Sequence, residues 1–592
     1  MDTPFDLDTL ARRYRAGSAS PPGVAEEVLD RIAARGDDHV WITLRPAADL
    51  LGDAAGLAGR WPDPHSRPAL YGVPFAVKDN IDVAGLPTTA ACPGYAYVPD
   101  RSAPLVDRLL AAGALLVGKT NLDQFATGLS GTRSPYGACE SPLVPGLISG
   151  GSSSGSAVAV AAGLVAFAIG TDTAGSGRVP AALTGTVGIK PSRGLVSTLG
   201  LVPACASLDC PSVFAWSVAD GLAVLSVMAG PERSDPWSRS LPVPSPVPPA
   251  VASLRIGVPR HREFFGDDAA AAAFEEAAGR LADLGHQMVP VDLEPFLAAG
   301  RLLYDGPWIA ERLASIGGFA DRNPGLVHPV TRKILANGTG LSAVDAFQGL
   351  YRLRALRAET RQAWASMDAL AVPTVPTTFT IAELLESPID RNAVLGHYTT
   401  FANLLDLAAV AVPGGMTATG RPHGVTLLGP AGSDGLLAGL GAALHARTGG
   451  HAAPPGGASE AGPVLAVVGA HRSGQPLHGQ LTSLGATGLG TALTAPIYRL
   501  YALDGGEPPR PGLVRSNGGG VSVEVELYGL GPSALGTLLT QVTPPLSLGT
   551  VRLADGRTVH GFLCESYATE GAADISHHGS WPNYLLSPGR GG

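Results

Sequence analysis

Two Gly/Ser-rich turns joined by apolar sequence, SGGSSSGSAVAVAAGLVAFAIGTDTAGSGRVPAA from Ser149, are the stretch of this chain best suited to chemistry. A Gly/Ser cluster that serves as a flexible linker sits among polar residues. This one runs directly into apolar sequence and then into the second turn. Gly-rich turns flanking a buried segment present backbone N–H groups to an anion, which is what a tetrahedral intermediate requires. Upstream, in YGVPFAVKDNIDVAGLPTT, Lys78 closes an apolar strand instead of belonging to a charged surface run. A lysine taken out of water loses its preference for the charged form and can serve as a general base near neutrality.

The elements that must position these groups belong to a large α/β domain. Residues 6 to 35 predict two short amphipathic helices broken at SASPPG. From Tyr71 to about Ser217, short apolar strands such as ALLVG alternate with helical stretches, the pattern of a sheet covered by helices. The longest apolar run, Ala157 to Gly170, has 14 residues, too few to span a bilayer, and is expected to form a buried helix. LPVPSPVPPA (241–250) must be an extended connector, because helix interiors do not tolerate such proline density. Beyond it, LRIGVPR, DALAVPTVP and AAVAVPGG predict core strands, and DDAAAAAFEEAAGRLADLG a helix with an acidic start and a Gly stop. A second connector, HAAPPGGASEAGP (451–463), precedes β-rich sequence. The expected organisation is therefore a large domain over 1–455 and a small mixed β domain over 464–592.

The 592 residues are 45% hydrophobic, with a formal charge of -9 and no Lys/Arg stripe, so the electrostatic footprint of a nucleic-acid binder is missing. Five scattered cysteines without a CxxC pair suggest neither a disulfide framework nor a zinc site. With no apolar stretch resembling a signal peptide at the N-terminus, a soluble cytoplasmic protein with no membrane contact is expected.

GVPFAVKDN, GGSSSGSA and TDTAGSGRVPA, in that order, resemble the amidase signature family, and Ser152 and Ser176 stand 24 residues apart as that family's Ser–Ser–Lys triad requires. The resemblance implies Lys78 as base, Ser152 as bridging serine on a cis peptide, and Ser176 as nucleophile. It implies an oxyanion hole from the N–H groups of Thr173, Ala174, Gly175 and Ser176, with Ser153 and Arg178 supporting the nucleophile loop. A serine hydroxyl is unreactive until a base takes its proton, and here the proton would pass through Ser152 to Lys78. The implied fold is a central mixed sheet covered by helices, and no cofactor or metal is called for.

Ser154, Ala174 and Gln124, at positions where the family varies, resemble its allophanate hydrolase branch. In YDGPWIAERLASIGGF, Tyr304 and Arg312 stand eight residues apart, about two helical turns, so both can face one side of a helix. In that branch the matching residues hold the substrate, a small ureido carboxylate, with Gly128 adding backbone contacts. An arginine fork suits a carboxylate. VLAVVGAHRSGQPLHGQL and ADISHHGSWPNYL look like the branch's extra domain, similar in fold to γ-glutamylcyclotransferase-like proteins. There a histidine is proposed to assist decarboxylation; His471 is the candidate here, and His577 and His578 are read as surface or packing residues.

The implied reaction releases ammonia from allophanate, leaves N-carboxycarbamate and proceeds by decarboxylation to ammonia and carbon dioxide. The alternatives are a hydrolase of biuret or carboxybiuret, or the glutaminase subunit of a tRNA-dependent amidotransferase, and the C-terminal domain could be an assembly module alone. A homodimer is expected from the family. No biotin-carboxylase region is recognisable, so a urea carboxylase linked to it in metabolism is expected to be a separate chain.

Overall fold

The structure, a computed structural model, describes residues 5–448 and 463–587, except 485, 504–507, 517, 531, 555 and 586. These residues fall into two compact units, one ending at 448 and one starting at 463. The connector expected at 451–463 lies, apart from its last residue, outside the described residues.

The first unit is built on a sheet of 11 strands. In chain order they are β1 (Trp41–Leu44), β2 (Pro74–Lys78), β3 (Leu115–Thr120), β4 (Phe167–Asp172), β5 (Val187–Lys190), β6 (Cys210–Ala215), β7 (Arg255–Pro259), β8 (Gln287–Val291), β9 (Ala369–Pro373), β10 (Leu407–Met416) and β11 (Pro422–Pro430). Across the sheet they run β1-β3-β2-β4-β6-β5-β10-β11-β9-β7-β8. The trio β3-β2-β4 is parallel, as is β9-β7-β8, and antiparallel pairs join the two groups. This is the mixed α/β sheet that the sequence predicts.

Every residue of β2 to β6 is buried, which explains their near-continuous apolar character. Alternation along later strands separates two cores, as a period of two requires. Ala369 and Ala371 join Phe75, Phe167 and Leu440 in one core. Leu370 and Val372 join Phe296, Trp308 and Phe401 in the other. The two N-terminal helices form over Leu7–Arg15 and Pro21–Arg35, and the side chains of Asp6 and Ser20 cap them.

The apolar run at 157–170 is not one helix. The helix spans Ser154–Ala161, Gly163 turns the chain at φ 68°, and the remainder enters β4. Val165, Phe167 and Ile169 carry the period of a strand, and length alone had concealed it.

The second unit contains a five-stranded and a three-stranded sheet. The former runs Thr487–Leu493, Glu524–Gly529, Val464–Val467, Thr558–Cys564, Leu546–Arg552; the latter runs Arg510–Arg515, Tyr498–Leu503, Ala573–Asp574. It is the small β-rich domain expected after residue 464. No helix among the described residues is long and apolar enough to cross a membrane.

Candidate active site

Lys78 ends β2 at the centre of the parallel trio and is 0% exposed. Its Nζ donates to Ser152 Oγ at 2.8 Å and to Thr171 Oγ1, on neighbouring β4, at 2.8 Å. Burial lowers its pKa from 10.5 to about 7, although the carboxylates of Asp123, Asp209 and Asp172 pull it upward. An amine that is substantially neutral at pH 7 has a lone pair for the Ser152 proton. The Gly151–Ser152 peptide is cis. Ser152 accepts the Asp123 N–H through its carbonyl at 3.0 Å, and Gly151 N–H donates to Leu129 O at 2.8 Å. A Cβ at Gly151 would collide with the Asp123 carboxylate, so this approach requires glycine.

Ser176 lies on the turn between β4 and the Val179–Thr184 helix and is 2% exposed. That turn is wound around Asp172. The Asp172 carboxylate accepts the N–H groups of Gly175 and Gly177 at 3.0 Å each. It also accepts Nε and Nη2 of Arg178 at 2.8 and 2.9 Å. Burial alone would raise the Asp172 carboxyl, yet the adjacent Arg178 guanidinium holds it below its ordinary value. Ser153 Oγ bridges to the backbone of Thr171, donating to its carbonyl and accepting its N–H at 3.2 and 3.3 Å. Both expected support residues therefore touch the turn that carries Ser176 or the strand feeding it.

Among the described residues, the N–H groups of Thr173, Ala174 and Ser176 make no hydrogen bond, so they are available to an oxyanion. Gly175 departs from expectation, because its N–H is already donated to Asp172. At φ 136° its missing Cβ leaves room for Thr399, which accounts for the glycine there. Lys78 and Ser152 are brought together. Ser176 Oγ makes no hydrogen bond to them or to any other described residue.

Tyr304 and Arg312 do not share a helix. Tyr304 lies near the end of Glu294–Asp305, Arg312 lies in Trp308–Arg322, and Gly306–Pro307 break the chain between them. The structure still brings them together, with the guanidinium 5.5 Å from the Tyr304 ring centroid. Arg312 is 1% exposed and its Nη1 donates to Thr127 Oγ1 at 3.0 Å, beside Gly128. Its Nε and Nη2 are buried without a partner among the described residues. Buried donors so placed favour an anionic partner that can take both. A Cβ at Gly128 would press on the Asp123 carboxyl.

Several neighbours escaped the sequence reading. Thr171 and Asp172 sit inside the quoted TDTAGSGRVPA motif, and an acid closing an apolar strand was the available signal. Asp209, buried beside the turn, accepts Thr173 Oγ1–H at 2.5 Å, and burial pushes its carboxyl up to about 6. Asn403 donates to Asp172 O at 2.7 Å and Leu208 O at 2.9 Å, a contact that nothing local in the sequence signals.

In the second unit, the His471 ring stacks on Phe562 with centroids 4.9 Å apart and bonds through Nε2 to Gln480 Oε1 at 3.0 Å. It lines a cavity together with Arg510, Gln541, Thr543 and Leu546. Burial lowers its pKa. Among the described residues no cluster of three or more His, Cys, Asp or Glu could hold a metal ion.

Residues 24–438 match the family model described as Amidase, and residues 464–586 match that of the Allophanate hydrolase C-terminal domain. The urea amidolyase of Saccharomyces cerevisiae is 39% identical over 586 residues, which is 95% of this chain and 32% of that protein. The chain thus spans about a third of the length of that relative. A solved structure of Kluyveromyces lactis allophanate hydrolase is 37% identical, with a TM-score of 0.72 over 98% of this chain and 99% of that one. A glutamyl-tRNA(Gln) amidotransferase subunit of Symbiobacterium thermophilum is 35% identical over 489 residues, covering 76% of this chain and 99% of that protein. Sheet and matches together define the amidase fold. The chain belongs to the amidase family.

Proposed function

We propose that this chain is an allophanate hydrolase in which Ser176 attacks the terminal ureido carbonyl. Lys78 takes the Ser176 proton through Ser152 and returns it to the departing ammonia. The N–H groups of Thr173, Ala174 and Ser176 receive the developing oxyanion, an interaction worth on the order of 100-fold or more in rate per donor. Water then resolves the acyl-enzyme to N-carboxycarbamate. Arg312 and Tyr304 hold the substrate carboxylate, with Gly128 adjacent. Ser153 and Arg178 keep the nucleophile turn in place.

The observation that carries the reading is Arg312, buried with two unpartnered donors beside Tyr304 and Thr127. A neutral amide would leave that guanidinium unsatisfied. The matched C-terminal domain favours allophanate over glutamine. The cavity around His471 suits a small anionic intermediate, and in this reading His471 assists its decarboxylation. The protein works as a cytoplasmic homodimer, requires no cofactor and uses allophanate supplied by a urea carboxylase. Domains over 1–455 and 464–592 divide the two steps.

Ammonia release across allophanate, biuret, malonamide and glutamine tests the reading. Allophanate is expected to give the highest kcat/KM by at least tenfold. Preference for biuret or glutamine would replace it with one of the alternatives.

A further inference from the structure

The loop Ala204–Asp209 touches both the oxyanion turn and the helix bearing Arg312. At one end, Asp209 accepts the Thr173 hydroxyl at 2.5 Å while closing its own loop through the N–H groups of Ala204 and Cys205 at 2.9 and 3.2 Å. Asn403 fastens the same end, bridging the carbonyls of Asp172 and Leu208. At the other end, Ser207 donates its N–H and its hydroxyl to the two oxygens of Glu311, both at 2.7 Å. Glu311 directly precedes Arg312 on the Trp308–Arg322 helix. Cys205 Sγ also reaches Trp308 O, at 3.6 Å, and Arg193 Nη1 holds the Ser207 carbonyl at 2.5 Å.

The two ends of this loop are therefore tied to the two places a carboxylated amide must satisfy together, while Arg193, paired with Asp406, holds its middle. Thr173 lies where the carbonyl oxygen would become charged; Arg312 lies where the carboxylate would bind. A bidentate carboxylate clamp fixes orientation as well as distance, which a single flexible contact does not. Geometry held in this way converts a small error in spacing into a large loss of rate.

We propose that the 204–209 loop is a rigid spacer, anchored by Asp209 on Thr173 and by Glu311 on Ser207, that makes hydrolysis selective for amides whose carboxylate stands one atom from the scissile carbonyl. Glu311 and Asp209 are positioning residues, acting through Arg312 and Thr173. The proposal rests on the reading of Arg312 as the carboxylate site. It adds a determinant of substrate length that lies outside the contact residues.

The test is a length series in the full chain: oxamate, malonamate and succinamate, with zero, one and two atoms between the two carbonyl carbons. The wild type is expected to favour malonamate over succinamate by at least 100-fold in kcat/KM. Glu311→Ala is expected to cut that ratio at least tenfold, mainly by lowering the malonamate value, with the unfolding midpoint little changed. Ser207→Ala removes one of the two bonds to Glu311 and should move the ratio in the same direction by less; it also serves if Glu311→Ala does not fold. A general structural role would lower all three substrates equally. Equal losses, or an unchanged ratio in both variants, overturn the spacer alone. A wild type with no preference for the one-atom spacing removes both the carboxylate-site reading and the spacer.

Discussion

The acid limb of the pH–rate profile is the sharpest consequence of burying Lys78. An ordinary lysine, at 10.5, would present its neutral form in about one molecule in 3,000 at pH 7. Burial brings the value to about 7, so about half the molecules carry a usable lone pair at that pH. The difference of 3.5 units corresponds to about 5 kcal/mol, at 1.36 kcal/mol per unit. The sign for stability follows from linkage. Above pH 10.5 neither state binds the proton, and the buried amine costs nothing on this account. As pH falls toward 7 the unfolded chain binds a proton that the folded chain does not, so stability declines; below 7 the penalty is constant. Catalysis follows the folded-state value. Lowering the pH from 8 to 6 takes the neutral fraction from about nine-tenths to about one-tenth, a loss of roughly tenfold in kcat/KM. The assay is ammonia release from malonamate, whose carboxylate stays ionised throughout this range. A flat profile between pH 6 and 8, or a limb centred above 9, refutes Lys78 as the base.

Arg312→Ala should raise KM for the carboxylated substrate and lower kcat/KM by roughly 30- to 1,000-fold, the loss of about 2–4 kcal/mol of charge-assisted hydrogen bonding; unchanged KM in steady-state kinetics would remove its role. Arg178→Ala leaves the wholly buried Asp172 carboxylate without its cation, and should destabilise the first unit by about 3–5 kcal/mol in chemical denaturation. His471→Ala should leave the first ammonia release intact while slowing carbon dioxide evolution, measured together in a coupled assay; equal loss of both would place His471 outside the decarboxylation step.

The parts of the fold legible in the sequence are those with local causes. Apolar runs of five to six residues near glycine marked β2 and β3, whereas β4 lay hidden in an apolar run long enough to suggest a helix, and a Pro-dense stretch marked a connector. The Lys78–Ser152 pairing was legible because both residues lie in ordered, recognisable motifs. Tyr304 and Arg312 meet, but not on the single helix that their spacing predicts, because Gly306 and Pro307 separate two helices. The resemblance implies Gly175 in the oxyanion hole, but a motif match does not show which N–H a nearby carboxylate claims, and Asp172 takes this one. Asp209, Asn403 and Glu311 act across 36, 231 and 104 residues of sequence, and side-chain contacts of that reach leave no periodic trace.

The central claim is that Ser176 is the nucleophile, and ammonia release from allophanate by Ser176→Ala tests it most directly. The variant keeps Lys78, Ser152 and Arg312, so it should retain the fold and bind the substrate. Turnover is expected to fall by at least about a thousandfold, because the variant lacks the hydroxyl that would form the acyl-enzyme. Release above a few per cent of wild type from a homogeneous preparation would contradict the account.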